Sequence, residues 1–155
     1  MVEAHLRDKQ YSFAVRVILL GRRYRALLDD RLRPLGYSSA RMEALSAIAG
    51  IRRPAAQIEI ARRIGIEGPT LTRMLDVLEK EGLIARVADV QDRRTKRVSL
   101  TERGSAALAE IAAVADALRA EVLEGVSGAE LDRMNGLLGK LVDRLYPGVF
   151  PDVKV

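Results

Sequence analysis

The chain has 155 residues, 48% of them hydrophobic and 4% aromatic, with no tryptophan and no cysteine. That length suits one compact domain or a small domain with an appendage, and the apolar share excludes a disordered chain. The missing cysteines exclude disulfides, thiolate metal sites, thiol redox sensing and cysteine nucleophiles, while a net charge of +5 favours a polyanionic partner.

The first ten residues, Met1 to Gln10, carry Glu3, His5, Arg7, Asp8 and Lys9 and no apolar stretch of the secretory kind. No apolar run approaches the roughly 20 residues that span a bilayer. The expectation is a cytoplasmic protein with no membrane partner. Phe13, Val17, Leu20, Tyr24 and the Leu27/Leu28 pair then follow at steps of four, three, four and three, which trace one face of a helix. Pro34 and Gly36 end it. Ser38 offers an N-cap for a second helix carrying Met42, Leu45, Ile48 and Ala49 and stopping near Gly50.

Two short helices with a tight break come next. The first is predicted from about Ala55 to Ile64, with Ile58, Ala61 and Ile64 inward; Gly65-Ile66-Glu67-Gly68 makes the turn. Pro69 opens the second, where its missing N–H is harmless. Leu71, Met74, Leu75 and Leu78 form the expected buried stripe of that helix, which leaves Thr70, Thr72, Arg73 and Asp76 outward. Gly82 is a natural C′ residue. Leu83–Ala88 and Thr95–Leu100 read as two strands of a hairpin whose charged tip is Asp89-Val90-Gln91-Asp92-Arg93-Arg94. Thr101 caps an Ala-rich helix with Leu108, Ile111, Ala115, Leu118 and Val122 on one side. Ser127 and Glu130 form a capping box for the last helix, with Val126 and Leu131 as its staple. Leu131, Met134, Leu138, Leu141, Val142 and Leu145 make its apolar seam. The fold class is therefore mainly α with a small β-hairpin.

Two short helices at a sharp turn followed by a hairpin have a simple physical use: the second helix fits a major groove while the hairpin reaches the adjoining minor groove. Thr70, Thr72 and Arg73 supply donors for base edges and phosphates, and Arg93, Arg94, Lys96 and Arg97 make the hairpin cationic. The free N–H groups of the helix N-terminus that starts at Gly68-Pro69 suit a phosphate oxygen. Residues 52–103 hold 12 Lys/Arg against 8 Asp/Glu, residues 1–51 hold 9 against 5, and residues 104–155 hold 5 against 8. The acidic end thus lies away from the predicted reading module.

The stretches Ala61-Arg62-Arg63-Ile64-Gly65-Ile66, Pro69-Thr70-Leu71-Thr72-Arg73 and Leu78-Glu79-Lys80-Glu81-Gly82-Leu83-Ile84 resemble the core of the MarR/SlyA family of winged helix-turn-helix transcription regulators. The wing Asp92-Arg93-Arg94-Thr95-Lys96-Arg97-Val98-Ser99-Leu100-Thr101-Glu102-Arg103-Gly104 resembles it as well. The likeness covers residues 38–104 closely and departs from the commoner Ser-containing turn at Glu67-Gly68. It implies that Arg94 enters a minor groove, that Asp92 holds the wing by pairing with Arg73, and that Pro69, Thr70, Thr72 and Arg73 line the major groove. Arg93, Lys96 and Arg97 would meet phosphates. It further implies a homodimer held by terminal helices (residues 1–37 and 104–155) around winged domains of residues 38–103, on a palindromic operator. The expected function is transcription regulation as a repressor of double-stranded DNA targets, released by a small aromatic or anionic effector in a crevice. Tyr11, Arg16, Tyr24, Arg25, Tyr37 and Arg41 lie in the helices that would flank it, with none assigned as a ligand.

The alternative from another class is a winged-helix module that binds protein and not DNA. It needs an apolar or acidic recognition face, against which the Thr/Arg face argues. An enzyme is not expected: there is one histidine, Asp29 and Asp30 point to different faces of a helix, Asp89 and Asp92 sit on a hairpin tip, and no Gly-rich phosphate loop occurs. No cofactor or metal is expected.

Overall fold

The structure, a computed structural model, describes residues 2–89 and 95–147. Contacts divide it into two compact units, residues 1–39 and 40–155. The first unit holds helix α1 (Val2–Leu32) and a single 3-10 turn, Arg33–Leu35. Pro34 sits at the start of that turn, and Gly36 closes it at φ 78°. A glycine is wanted here, because that left-handed geometry lets Gly36 N–H reach the Arg33 carbonyl at 3.0 Å and Tyr37 N–H reach that of Leu32 at 3.1 Å. Leu28 and Leu32 are buried, at 2% and 0% exposure. Phe13, Val17 and Leu20, predicted to share their face, are exposed in the single chain.

Helix α2 (Ser39–Ile51) starts one residue after the expected cap. The Asp29 carboxylate accepts the Ser39 N–H at 2.6 Å, a cap brought from another helix. The second unit continues with strand β1 (Ala55–Ala56), helix α3 (Gln57–Ile64) and helix α4 (Gly68–Lys80). Strands β2 (Ile84–Ala88) and β3 (Lys96–Leu100) and helices α5 (Glu102–Val122) and α6 (Gly128–Leu145) complete it.

The hairpin becomes a three-stranded antiparallel sheet in the order β1-β3-β2. Residues read as the first turn of a helix are instead a two-residue strand, Ala55 opposite Val98 and Ala56 opposite Arg97. Helix α3 consequently begins two residues late and turns a different face inward. Of the expected inward trio, Ala61 is buried and Ile64 partly covered, but Ile58 is 57% exposed and Ile60 is buried in its place. Leu71, Leu75 and Leu78 are buried as expected, whereas Met74 is only partly covered. In β3 the apolar position Val98 is fully buried between Ala55 and Arg86 of the flanking strands.

The core of this unit joins α2 (Ala44, Leu45, Ile48), α3, α4, the sheet and α5 (Ala107, Ile111, Ala115, Leu118). Helix α6 has its capping box, with Glu130 N–H on Ser127 Oγ and the Glu130 carboxylate accepting Ser127 N–H at 2.9 Å. It buries no residue within the single chain. Among the described residues no helix is long and apolar enough to cross a membrane.

Candidate nucleic-acid interface

Helix α4 gets its conformation from both ends. Glu67 is the N-cap residue in extended geometry, Pro69 lies in the first turn, and no side chain caps the helix. No acidic residue occupies the first turn, although Glu67 stands at the cap, next to the positive end of the helix dipole. The other end closes tightly, with Gly82 N–H on the Glu79 carbonyl at 2.9 Å and Leu83 N–H on that of Leu78 at 2.9 Å. Gly82 stands at φ 72°, and this pair of bonds is the Schellman ending. It aims the chain directly into β2.

Pro69, Thr70, Thr72 and Arg73 are all exposed on α4, where the sequence reading places them. The Thr72 hydroxyl donates to the Gly68 carbonyl at 3.0 Å, which leaves its oxygen to accept and its methyl to make apolar contact. Lys96, the first residue of β3, is also exposed. Arg97, expected at phosphates, also has partners within the chain. It is partly buried, its Nε donates to the Asp89 carboxylate, and its Nη1 stands 3.7 Å from Glu59. Asp92, Arg93 and Arg94, and with them the expected Asp92–Arg73 pair, lie outside the described residues.

Two further charged groups hold the reading elements together, and neither stood out in the sequence. Arg86 of β2 has a side chain only 8% exposed and reaches Asp76 and Glu79 of α4, the latter at 2.7 Å. A basic residue of the wing thereby ties the wing to the helix. Hydrogen bonding to Glu79, then to Asp76, raises its pKa further. Glu59 closes back on Ala56 N–H at 2.8 Å and accepts from Arg53 Nη1 at 3.1 Å. The Arg53 hydrogen bond above all holds the Glu59 carboxyl below the ordinary glutamate range, against a smaller opposing effect of burial.

The base of the wing locks through Thr101 and Gly104. Thr101 Oγ1 accepts Gly104 N–H at 3.0 Å and donates to the Gly82 carbonyl at 2.6 Å, while Thr101 N–H reaches the Leu83 carbonyl at 3.1 Å. A Cβ on Gly104 would stand 1.9 Å from the Leu83 oxygen. The Leu-Thr-x-x-Gly run is therefore one joint that fastens the end of α4 to the start of α5.

Of the side chains expected to flank an effector crevice, Arg41 pairs with Glu81 at 2.8 Å. A shallow, mostly apolar recess of about 240 Å³ lies elsewhere, bounded by Ile48, Ala49, Arg52, Arg53, Pro54, Ser99 and Leu100.

Comparison with known proteins bears on this geometry. The family model described as MarR family matches residues 42–96. The solved transcriptional regulator PA3341 is 38% identical, with a TM-score of 0.77 over 86% of this chain and 97% of that one. A mutant MarR from E. coli complexed with operator DNA is 23% identical, with a TM-score of 0.77 over 86% of this chain and 96% of its own. CouR from Rhodococcus jostii RHA1, bound to p-coumaroyl-CoA, is 22% identical, with a TM-score of 0.76 over 87% and 92%. At those last two identities the likeness is one of fold.

Proposed function

Because the chain belongs to the MarR family of transcription regulators, we propose that it is a homodimeric repressor that reads a palindromic duplex operator. The observation that carries this reading is the exposed Pro69, Thr70, Thr72 and Arg73 face of α4, tied through Arg86 to a basic wing strand. Helix α4 enters the major groove and offers hydroxyl and guanidinium groups to base edges. Lys96 and Arg93 meet phosphates, which set position without reading sequence. Arg94 reaches the adjoining minor groove, where a narrow A·T-rich stretch attracts guanidinium. Arg97 serves the wing's placement more than the phosphates, since its charge is already shared with Asp89 and Glu59.

Residues 1–37 and 104–155 form the dimerisation region and 38–103 the reading domain. Support for the dimer comes from apolar surface left open in the single chain: Phe13, Ile18 and Leu20 of α1 are 49%, 58% and 62% exposed, and Leu137 and Leu138 of α6 are 64% and 42% exposed. So much exposed apolar area on each of two long helices calls for a partner surface. Release by a small anionic effector belongs to the same reading, supported by the p-coumaroyl-CoA bound to CouR.

The test is selection of duplexes from a random pool by the purified protein, followed by footprinting. Two half-sites related by a dyad, about one helical turn apart, are expected, with affinity falling steeply as salt rises. Folded, ligand-free protein that shows no salt-sensitive affinity for any duplex overturns the proposal and returns the protein-binding module as the better reading.

A further inference from the structure

We propose that Glu59 is the residue that sets the wing, acting through Arg97 and Asp89, and so controls how well the protein separates a specific duplex from an unrelated one; this rests on the DNA-binding reading above. Ala56 is at once the strand partner of Arg97 and the N-cap residue of α3. A glutamate three residues into that helix folds back onto the cap N–H, which it does at 2.8 Å. That places its carboxylate beside the side chain opposite Ala56, and Arg97 Nη1 stands 3.7 Å away.

The other side of Arg97 is fixed by the hairpin. Asp89 N–H donates to the Thr95 carbonyl at 2.8 Å, so Asp89 and Arg97 are diagonal neighbours on one sheet face, and Arg97 Nε donates to the Asp89 carboxylate. Arg53, from the loop before β1, holds Glu59 from behind at 3.1 Å. The result is a chain of alternating charge, Arg53–Glu59–Arg97–Asp89, running from the first helix of the reading motif to the root of the wing. None of the α4 residues facing outward belongs to it. Its energy is spread over partly exposed pairs, each worth little for stability. Its consequence is geometric, since it fixes the pitch of a lever whose far end must meet a groove.

Glu59→Gln is the informative change because the two readings of Glu59 predict opposite signs. The glutamine keeps the shape and still accepts from Ala56 N–H, yet it removes one negative charge near a polyanion. If Glu59 were an ordinary surface charge, every duplex would bind somewhat tighter. If it sets the wing, the duplex selected by wild-type protein binds about two- to fivefold more weakly, in line with a lost ion pair at a partly exposed site. An unrelated duplex then binds as well as before or better.

The experiment measures both duplexes over a salt series for wild type, Glu59→Gln, Arg97→Gln and the double variant, with hydrogen exchange of the Asp89 amide followed in parallel without DNA. Expected are a lower ratio of selected to unrelated affinity, a double variant no worse than the poorer single one, and faster exchange at Asp89 in all three variants. Unchanged or tighter binding of the selected duplex by Glu59→Gln overturns the inference, as does additive loss in the double variant. Should wild type select no duplex, the DNA reading falls, and unchanged Asp89 exchange would separately dispose of the mechanical link. If Glu59→Gln melts far below wild type, Asp89→Asn repeats the test from the wing end.

Discussion

Replacing Gly104 by alanine pits a local preference against a tertiary contact. Gly104 lies in the first turn of α5, and by helix propensity alone alanine there should stabilise by about 1 kcal/mol. The structure reverses the sign. The new Cβ would sit 1.9 Å from the Leu83 carbonyl oxygen and 2.9 Å from its carbon, both backbone atoms that no rotamer change can move aside. Relief requires α5 to withdraw by more than 1 Å (ordinary contact being about 3.5 Å). That withdrawal stretches the Thr101 bonds to the Gly82 and Leu83 carbonyls, now 2.6 and 3.1 Å. Overpacking costs about 1–3 kcal/mol, and two weakened hydrogen bonds about 1 kcal/mol each. After the propensity gain the net is about 2–4 kcal/mol of destabilisation. For a chain of this size that lowers the melting temperature by roughly 5–15 °C. Thermal unfolding followed by circular dichroism, at one fixed protein concentration because a dimer's melting depends on it, measures the effect. A melting temperature equal to or above wild type would refute the claim that Leu83 and Gly104 pack backbone to backbone.

Thr101→Val keeps the size of the residue but removes the cap on α5 and the bond to Gly82; a loss of about 1–2 kcal/mol in urea unfolding is expected. Lys96→Ala should weaken binding to selected and unrelated duplexes alike and reduce the salt slope by about one per protomer, with a change confined to one sequence counting against a phosphate role. Leu138→Glu, on the open seam of α6, should shift sedimentation from twice the 17.1 kDa chain mass toward a single chain; an unaltered dimer would remove α6 from the interface. The Glu59 carboxyl lies below its ordinary range in the folded protein. Its contribution to stability is therefore present above the unfolded value and disappears as the pH falls through the folded one. In acid titrations followed by denaturant, Glu59→Gln should lose stability less steeply than wild type in that window.

Features made by residues three or four apart were legible in the sequence: the Ser127–Glu130 box, the Thr101 cap, the Gly82 ending of α4, and the outward Thr70, Thr72 and Arg73 opposite the buried Leu71, Leu75 and Leu78. In each, the partner atoms lie within one turn, so spacing alone names them. Family resemblance then attached a role to the α4 face that periodicity could not supply.

Only the tertiary structure settled what depends on residues far apart in the chain. Two alanines carry no strand signal, and Ala55–Ala56 become β1 because β3, about 40 residues on, offers them its open edge. That pairing delays α3, turns Ile60 inward in place of Ile58, and sets Glu59 beside Arg97. Shorter separations, still beyond one helical turn, likewise hid Arg86 between Asp76 and Glu79 and the closeness of Gly104 to Leu83. A charged side chain in isolation reads as surface for a polyanion. Whether its charge faces outward or is spent inside the molecule is decided by which carboxylates the fold sets against it.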